Sequence, residues 1–171
     1  VLMEVTLVLR GEDLLSSTPR QIRVYQAMGV KEEDYPLFAH LPFVMGTDNA
    51  KLSKRNGETS IAWYREQGFL PEAICNYLAL LGWSPGDDRE SLTLKELTEL
   101  FTIERVNSNP ARFDMKKLEN INGDKIRALT LDDFYTWSLP FLQKAKVVST
   151  PITDQQEHVV RQALPIIQER L

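Results

Sequence analysis

The sequence predicts a small α/β unit followed by an all-helical piece. Three observations carry that expectation. Val5 to Leu9 is a short apolar run rich in β-branched residues, which reads as a buried strand. Arg10-Gly11-Glu12-Asp13 ends the run abruptly and a helix follows, and strand, charged turn, helix is the unit of an α/β fold. Beyond Gly57 the pattern holds only helix-period stripes and no convincing strand.

In chain order, Thr18 reads as the cap of the first helix. Pro19 takes its first position, Gln21 completes a capping box, and Gly29 stops it after Met28. His40 to Met45 offers a second short extended segment. Ser60 to Gln67 and Pro71 to Leu81 read as helices. In the second, Ile74, Tyr77, Leu78 and Leu81 fall on one face, which predicts its burial. Gly82 ends that helix and Ser84 to Asp88 forms a loop. Thr93 and Glu96 make a capping box before a helix over 94–101, and Asn107 to Pro110 is a turn. Asp114 to Asn120 is expected to be helical with Lys116 and Lys117 exposed. Leu131 to Ala145 is expected to be helical with a break or kink at Pro140. Thr153 and Gln156 cap a last helix whose apolar face is marked by Val160, Leu164 and Ile167.

Composition narrows the function classes. The 171 residues are 43% hydrophobic and 26% charged, ordinary for a soluble globular protein with one substantial core or two small ones. No apolar run approaches the roughly 20 residues that span a bilayer. Val1 to Glu4 has neither the basic nor the apolar region of a secretory signal, and the absence of an initiator methionine suggests a piece of something longer. One cysteine, Cys75, excludes an internal disulfide or a cysteine-rich zinc site and reads as a packing residue. His40 and His158 stand far apart, which argues against a histidine metal site. The net charge of −4 argues against a protein that coats nucleic acid. Local basic patches remain: Lys51, Lys54 and Arg55, and a diluted set of Arg105, Arg112, Lys116 and Lys117.

The first patch is the most informative. Lys51-Leu52-Ser53-Lys54-Arg55 puts three fixed positive charges and a hydroxyl between the polar stretch from Thr47 to Ala50 and the turn signal Asn56-Gly57. A cationic loop of this kind suits a polyphosphate. One ammonium about 4 Å from a phosphate oxygen gains on the order of 4 kcal/mol of gross Coulomb energy in partly screened surroundings. It can also meet charge developing on a pyrophosphate leaving group. On residue types alone, a solvated surface loop accounts for the cluster as well.

Val5 to Leu14, Ser17 to Gln21, Phe38 to Pro42 and Lys51 to Arg55 together resemble the glutamyl-tRNA synthetase family, in that order and at plausible spacings. Gly68 to Ala73, Asn76 to Trp83 and Pro110 to Asp114 extend the resemblance, which thins after about Asn122. Leu7 stands where the family pattern has histidine. The resemblance implies a class I aminoacyl-tRNA synthetase. Residues 1–57 would be the second half of a Rossmann-like catalytic domain with a KMSKS-type loop. Residues 58–129 would be a helical stem-contact domain, and residues 130–171 the start of an α-helical anticodon-binding domain. The implied enzyme joins L-glutamate to ATP, with Mg2+ accompanying the nucleotide, and passes the glutamyl group to a glutamate-accepting tRNA. It would act as a cytoplasmic or organellar monomer, without zinc in this segment, DNA or membrane.

By the same resemblance Lys51 and Lys54 are the catalytic loop lysines. Leu52, Ser53 and Arg55 join them at ATP together with Asp13 and the backbone of Val44, and Arg10 holds the glutamate carboxylate. Arg105, Arg112, Lys116 and Lys117 are the tRNA-facing candidates. From residue type alone, Arg10 suits an ion pair with Glu12 or Asp13 equally well, Asp13 suits a turn, and the lysines suit a solvated helix face. A HIGH-type motif would belong before Val1, so the segment is expected to be inactive by itself. An RNA-binding module, or a related glutaminyl or tRNA-modifying enzyme, are the other readings the motifs leave open.

Overall fold

The computed structural model describes residues 3–46, 51–52 and 60–171. Strand β1 (Leu7–Gly11) and strand β2 (Leu37–Leu41) pair in parallel, with helix α1 (Thr18–Ala27) between them in sequence. Parallel neighbours need such a crossover. The expected strand at Val5 to Leu9 therefore sits two residues later, because its partner begins opposite Leu7. The expected segment at His40 to Met45 likewise lies earlier, as β2.

Burial corrects one expectation. Along β1, Val8 and Arg10 are half-buried while Leu7 and Leu9 are exposed, so the strand is not buried on both faces. Helix α1 itself has no buried residue. The large buried apolar side chains of the described residues all lie beyond residue 60.

The helical part comprises α2 (Ile61–Glu66), α3 (Pro71–Gly82), α4 (Leu94–Leu100), α5 (Met115–Arg127), α6 (Leu131–Lys144) and α7 (Asp154–Gln168). Its main core joins Phe69, Tyr77, Leu118, Ile121, Phe134 and Leu164, and a smaller cluster gathers Trp83, Leu92 and Leu97. Among the described residues no strand follows residue 60. Two isolated bridges do involve residues of this part, Trp83 with Val106 and Met45 with Arg112. The capping boxes at Thr93–Glu96 and Thr153–Gln156 form as expected, and α6 runs through Pro140 as one element.

Five local expectations change. The buried face of α3 is Ala73, Asn76 and Tyr77, while Leu78 and Cys75 are exposed. Cys75 is thus not a packing residue. On α7 the burial falls on Leu164 and Gln168 rather than Ile167. Gln168 Nε2 donates to the carbonyls of Ile126 (2.7 Å) and Leu129 (2.9 Å), so it satisfies acceptors at the end of α5. Helix α5 continues seven residues past Asn120, to Arg127. Tertiary contacts override the poor helix propensity of Asn and Gly there. Asn122 Oδ1 accepts from the Leu70 amide at 2.8 Å, and a Cβ on Gly123 would fall 2.7 Å from the Leu171 carbonyl oxygen. Lys117 is half-buried and paired with Glu90 at 2.6 Å, whereas Lys116 is exposed as expected.

Asn76 shows how polar groups are kept in the core. It is fully buried at 0% exposure, accepts from the Leu92 amide (2.7 Å) and donates to the Glu90 carbonyl (3.0 Å). Asn76→Leu strands the buried Leu92 amide and removes the bond to the Glu90 carbonyl, which should cost about 2–4 kcal/mol. Urea unfolding followed by tryptophan fluorescence checks this; an unchanged midpoint would contradict it.

Candidate functional site

The carboxyl ends of β1 and β2 converge on one corner. In open α/β sheets this is where ligands bind. A short 3-10 turn, residues 12–17, leaves β1 and runs directly into α1. That continuity explains a further correction. Thr18 is not a cap, because its amide already donates to the Leu15 carbonyl and Ser17 occupies the cap position with no side-chain bond. The Thr18 hydroxyl points elsewhere, toward Arg10.

Arg10 lies opposite His40 in the strand register. Register partners project to the same face. Its Nη2 donates to Thr18 Oγ1 at 2.9 Å and to the Leu14 carbonyl at 3.3 Å, and its Nε donates to His40 Nε2 at 3.3 Å. Thr18 Oγ1 and His40 Nε2 are themselves 3.2 Å apart. The guanidinium carbon lies 5.5 Å from the Phe38 ring centroid. Among the described residues Arg10 makes no ion pair, so neither Glu12 nor Asp13 neutralises it.

The Glu12 carboxylate instead accepts from the Phe43 amide at 3.0 Å, across from one strand end to the other. The Asp13 carboxylate folds back over Gly11, where a Cβ would fall 2.5 Å from its Oδ1. Glycine at this position leaves room for that side chain.

The next two residues form a joint. The Val44 carbonyl accepts from the Leu52 amide at 2.9 Å, and Met45 bridges Lys51. On its other side Met45 accepts from the Phe113 amide (2.8 Å) and donates to the Ala111 carbonyl (2.9 Å). Asp114, the cap of α5, donates its amide to Tyr77 Oη at 2.6 Å. Burial of the Tyr77 phenol raises its pKa above the usual tyrosine range. A continuous set of hydrogen bonds therefore runs from the start of the cationic segment into α3 and α5. The Lys51 ammonium sits 3.6 Å from the Phe43 ring centroid.

The structure brings Arg10, Asp13, Val44, Lys51 and Leu52 to this corner. Ser53, Lys54 and Arg55 lie outside the described residues. The four tRNA-facing candidates are dispersed. Arg112 bridges Met45 beside the joint. Arg105 donates to the Pro85 carbonyl and packs over Gly86, whose φ is +90°. Lys117 pairs with Glu90, and Lys116 is exposed. Thr18, His40 and Glu12 were not singled out as site residues by sequence reasoning. Only the register of two strands separated by a helix brings them to Arg10 and Phe43, and no local pattern encodes that register.

The Glu12 bond is charge-assisted and pins Phe43 beside the joint. Glu12→Ala should speed amide exchange at Phe43 about tenfold, since a hydrogen bond to a charged group is worth about 1.5–3 kcal/mol. Hydrogen exchange read by mass spectrometry checks this, and unchanged protection at Phe43 would refute it.

A family model described as tRNA synthetases class I (E and Q), catalytic domain, matches residues 1–120. The chain is 51% identical over 173 aligned residues to a glutamate–tRNA ligase of Clavibacter sepedonicus and 53% identical to one of Saccharopolyspora erythraea. Each match covers 99% of this chain and 34% of the relative, so the chain spans about a third of the length of these curated relatives. The fold is similar to a glutamate tRNA ligase of Elizabethkingia meningosepticum solved in complex with its amino acid. There the TM-score is 0.80 at 29% identity, covering 99% of this chain and 36% of that one. A glutamate-tRNA synthetase of Elizabethkingia anophelis gives 0.81 at the same identity and coverage.

Proposed function

The chain belongs to the class I tRNA synthetases (E and Q), and from that premise we propose that it supplies part of the active site of a glutamate–tRNA ligase. The activity is activation of L-glutamate by ATP to glutamyl-adenylate, then transfer to the terminal adenosine of a glutamate-accepting tRNA. Mg2+ enters as part of the ATP substrate. Cytoplasmic location and a monomeric enzyme belong to the same reading. Among the described residues no helix is long and apolar enough to cross a membrane.

One observation carries the proposal. An unneutralised arginine and the root of a lysine-rich segment share the carboxyl ends of two parallel strands. The arginine suits a carboxylate and the lysines suit a polyphosphate. In this reading Arg10 binds the substrate glutamate, while Asp13 and the Val44–Leu52 backbone flank ATP. Lys51 and Lys54 stabilise charge on the phosphates, with Ser53 and Arg55 supporting the loop. Attack needs no general base, because the glutamate carboxylate is already ionised at neutral pH.

Magnitudes favour release of Lys51 to a phosphate. Its contact with the Phe43 ring is worth about 0.5–1 kcal/mol at an exposed site. The gross Coulomb attraction to a phosphate oxygen is on the order of 4 kcal/mol before desolvation. The ring thus parks the ammonium near the strand ends until an anion arrives.

The same reading divides the chain as 1–57 for the last part of the Rossmann-like domain, 58–129 for the stem-contact helices and 130–171 for the start of the anticodon-binding helices. In it Arg112 and Lys116 face tRNA most directly. Arg105 and Lys117, already engaged with Pro85 and Glu90, contribute less.

The test replaces the matching third of the Saccharopolyspora erythraea ligase with this chain. The chimera should charge glutamate tRNA, and Lys54→Ala in it should slow glutamate-dependent pyrophosphate exchange tenfold or more, about 1.4 kcal/mol of barrier per decade. An undiminished exchange rate in that variant would remove the lysine's role.

A further inference from the structure

Arg10 is held in an unusual way for a residue that must also bind an anion. Its Nε and Nη2 edge, the edge that usually forms the fork with a carboxylate, is taken up by the protein. Nε faces His40, and Nη2 faces Thr18 and the Leu14 carbonyl. Among the described residues Nη1 has no hydrogen-bond partner.

The donor and acceptor roles in this cluster follow from chemistry. A guanidinium only donates, so His40 Nε2 must accept from Arg10 Nε. The ring nitrogen that accepts carries a lone pair, which puts the imidazole proton on Nδ1. Thr18 Oγ1 accepts from Arg10 Nη2 at 2.9 Å and lies 3.2 Å from His40 Nε2, whose single lone pair faces Arg10 Nε. The three side chains close a ring of polar contacts. Each comes from a different element, β1, α1 and β2, so the ring reports their relative placement.

We propose that Thr18 and His40 are positioning residues that fix the Arg10 guanidinium edge-on, leaving Nη1 to meet the substrate carboxylate end-on. The proposal rests on the reading of Arg10 as the glutamate-binding arginine. It adds which groups hold that arginine and which of its nitrogens meets the substrate. Arginine side chains lose much rotamer freedom when ordered, and a guanidinium already ordered by its neighbours avoids that loss on binding. Loss of either holder should therefore appear in glutamate affinity and leave ATP affinity unaffected.

The experiment uses the chimeric ligase described above, with pyrophosphate exchange measured against L-glutamate and against ATP. Thr18→Val keeps the shape and removes the hydroxyl. It should raise the glutamate KM about tenfold while the ATP KM changes less than about twofold. His40→Leu should act in the same direction. Thr18→Ser and His40→Gln retain an acceptor and should restore most of the affinity. Equal shifts in both KM values, or serine behaving as badly as valine, would overturn the positioning role in favour of general packing. Arg10→Ala separates the layers. If it leaves the glutamate KM unchanged, the reading of Arg10 itself fails; if it raises KM while Thr18→Val does not, only the positioning proposal fails. Calorimetric binding of L-glutamate replaces KM for any variant that binds without turnover.

Discussion

The peptide backbone of Val44 and Met45 joins the two halves of this chain. On one side it accepts from Leu52, and on the other it exchanges bonds with Ala111 and Phe113. Main-chain bonds are indifferent to side-chain identity. A position whose backbone does the work tolerates the unremarkable residues found here, and its importance is invisible in composition.

The two halves differ in how they are stabilised. The helical half has buried aromatic and aliphatic clusters and satisfied internal polar groups such as Asn76 and Gln168. Among its described residues the strand half has no comparable cluster, and Val24, Met28 and Leu37 are well exposed. Polar contacts join its elements: the Arg10–Thr18–His40 ring, Glu12 to Phe43, and the joint itself.

What was legible in the sequence was local. Thr93–Glu96 and Thr153–Gln156 are capping boxes in the structure because a box needs only its own four residues. Thr18 matched the same pattern and is something else, since the turn before it already satisfies its amide. Helical periodicity found α3 and α7 and most of the residues they pack on the core, but it placed Leu78 and Ile167 there, which are exposed, and at Gln168 a polar residue took a buried position because it had carbonyls to bond. Arg10 could be singled out by its charge at a strand end. Its partners could not, because strand register is a tertiary fact. The lysine-rich segment was the plainest signal of all, and what the structure adds is where its first two residues, Lys51 and Leu52, are anchored.

Cys75 has a practical consequence. It is the sole thiol of the sequence and lies on the outward side of α3, away from Asn76 and Tyr77. A single maleimide fluorophore would attach there without displacing a core side chain. Because Tyr77 on the same helix touches the cap of α5 next to the joint, such a dye would sit two residues along α3 from the path that links the joint to the helices. The chain thus carries its own handle for watching that path optically, with no engineered residue required.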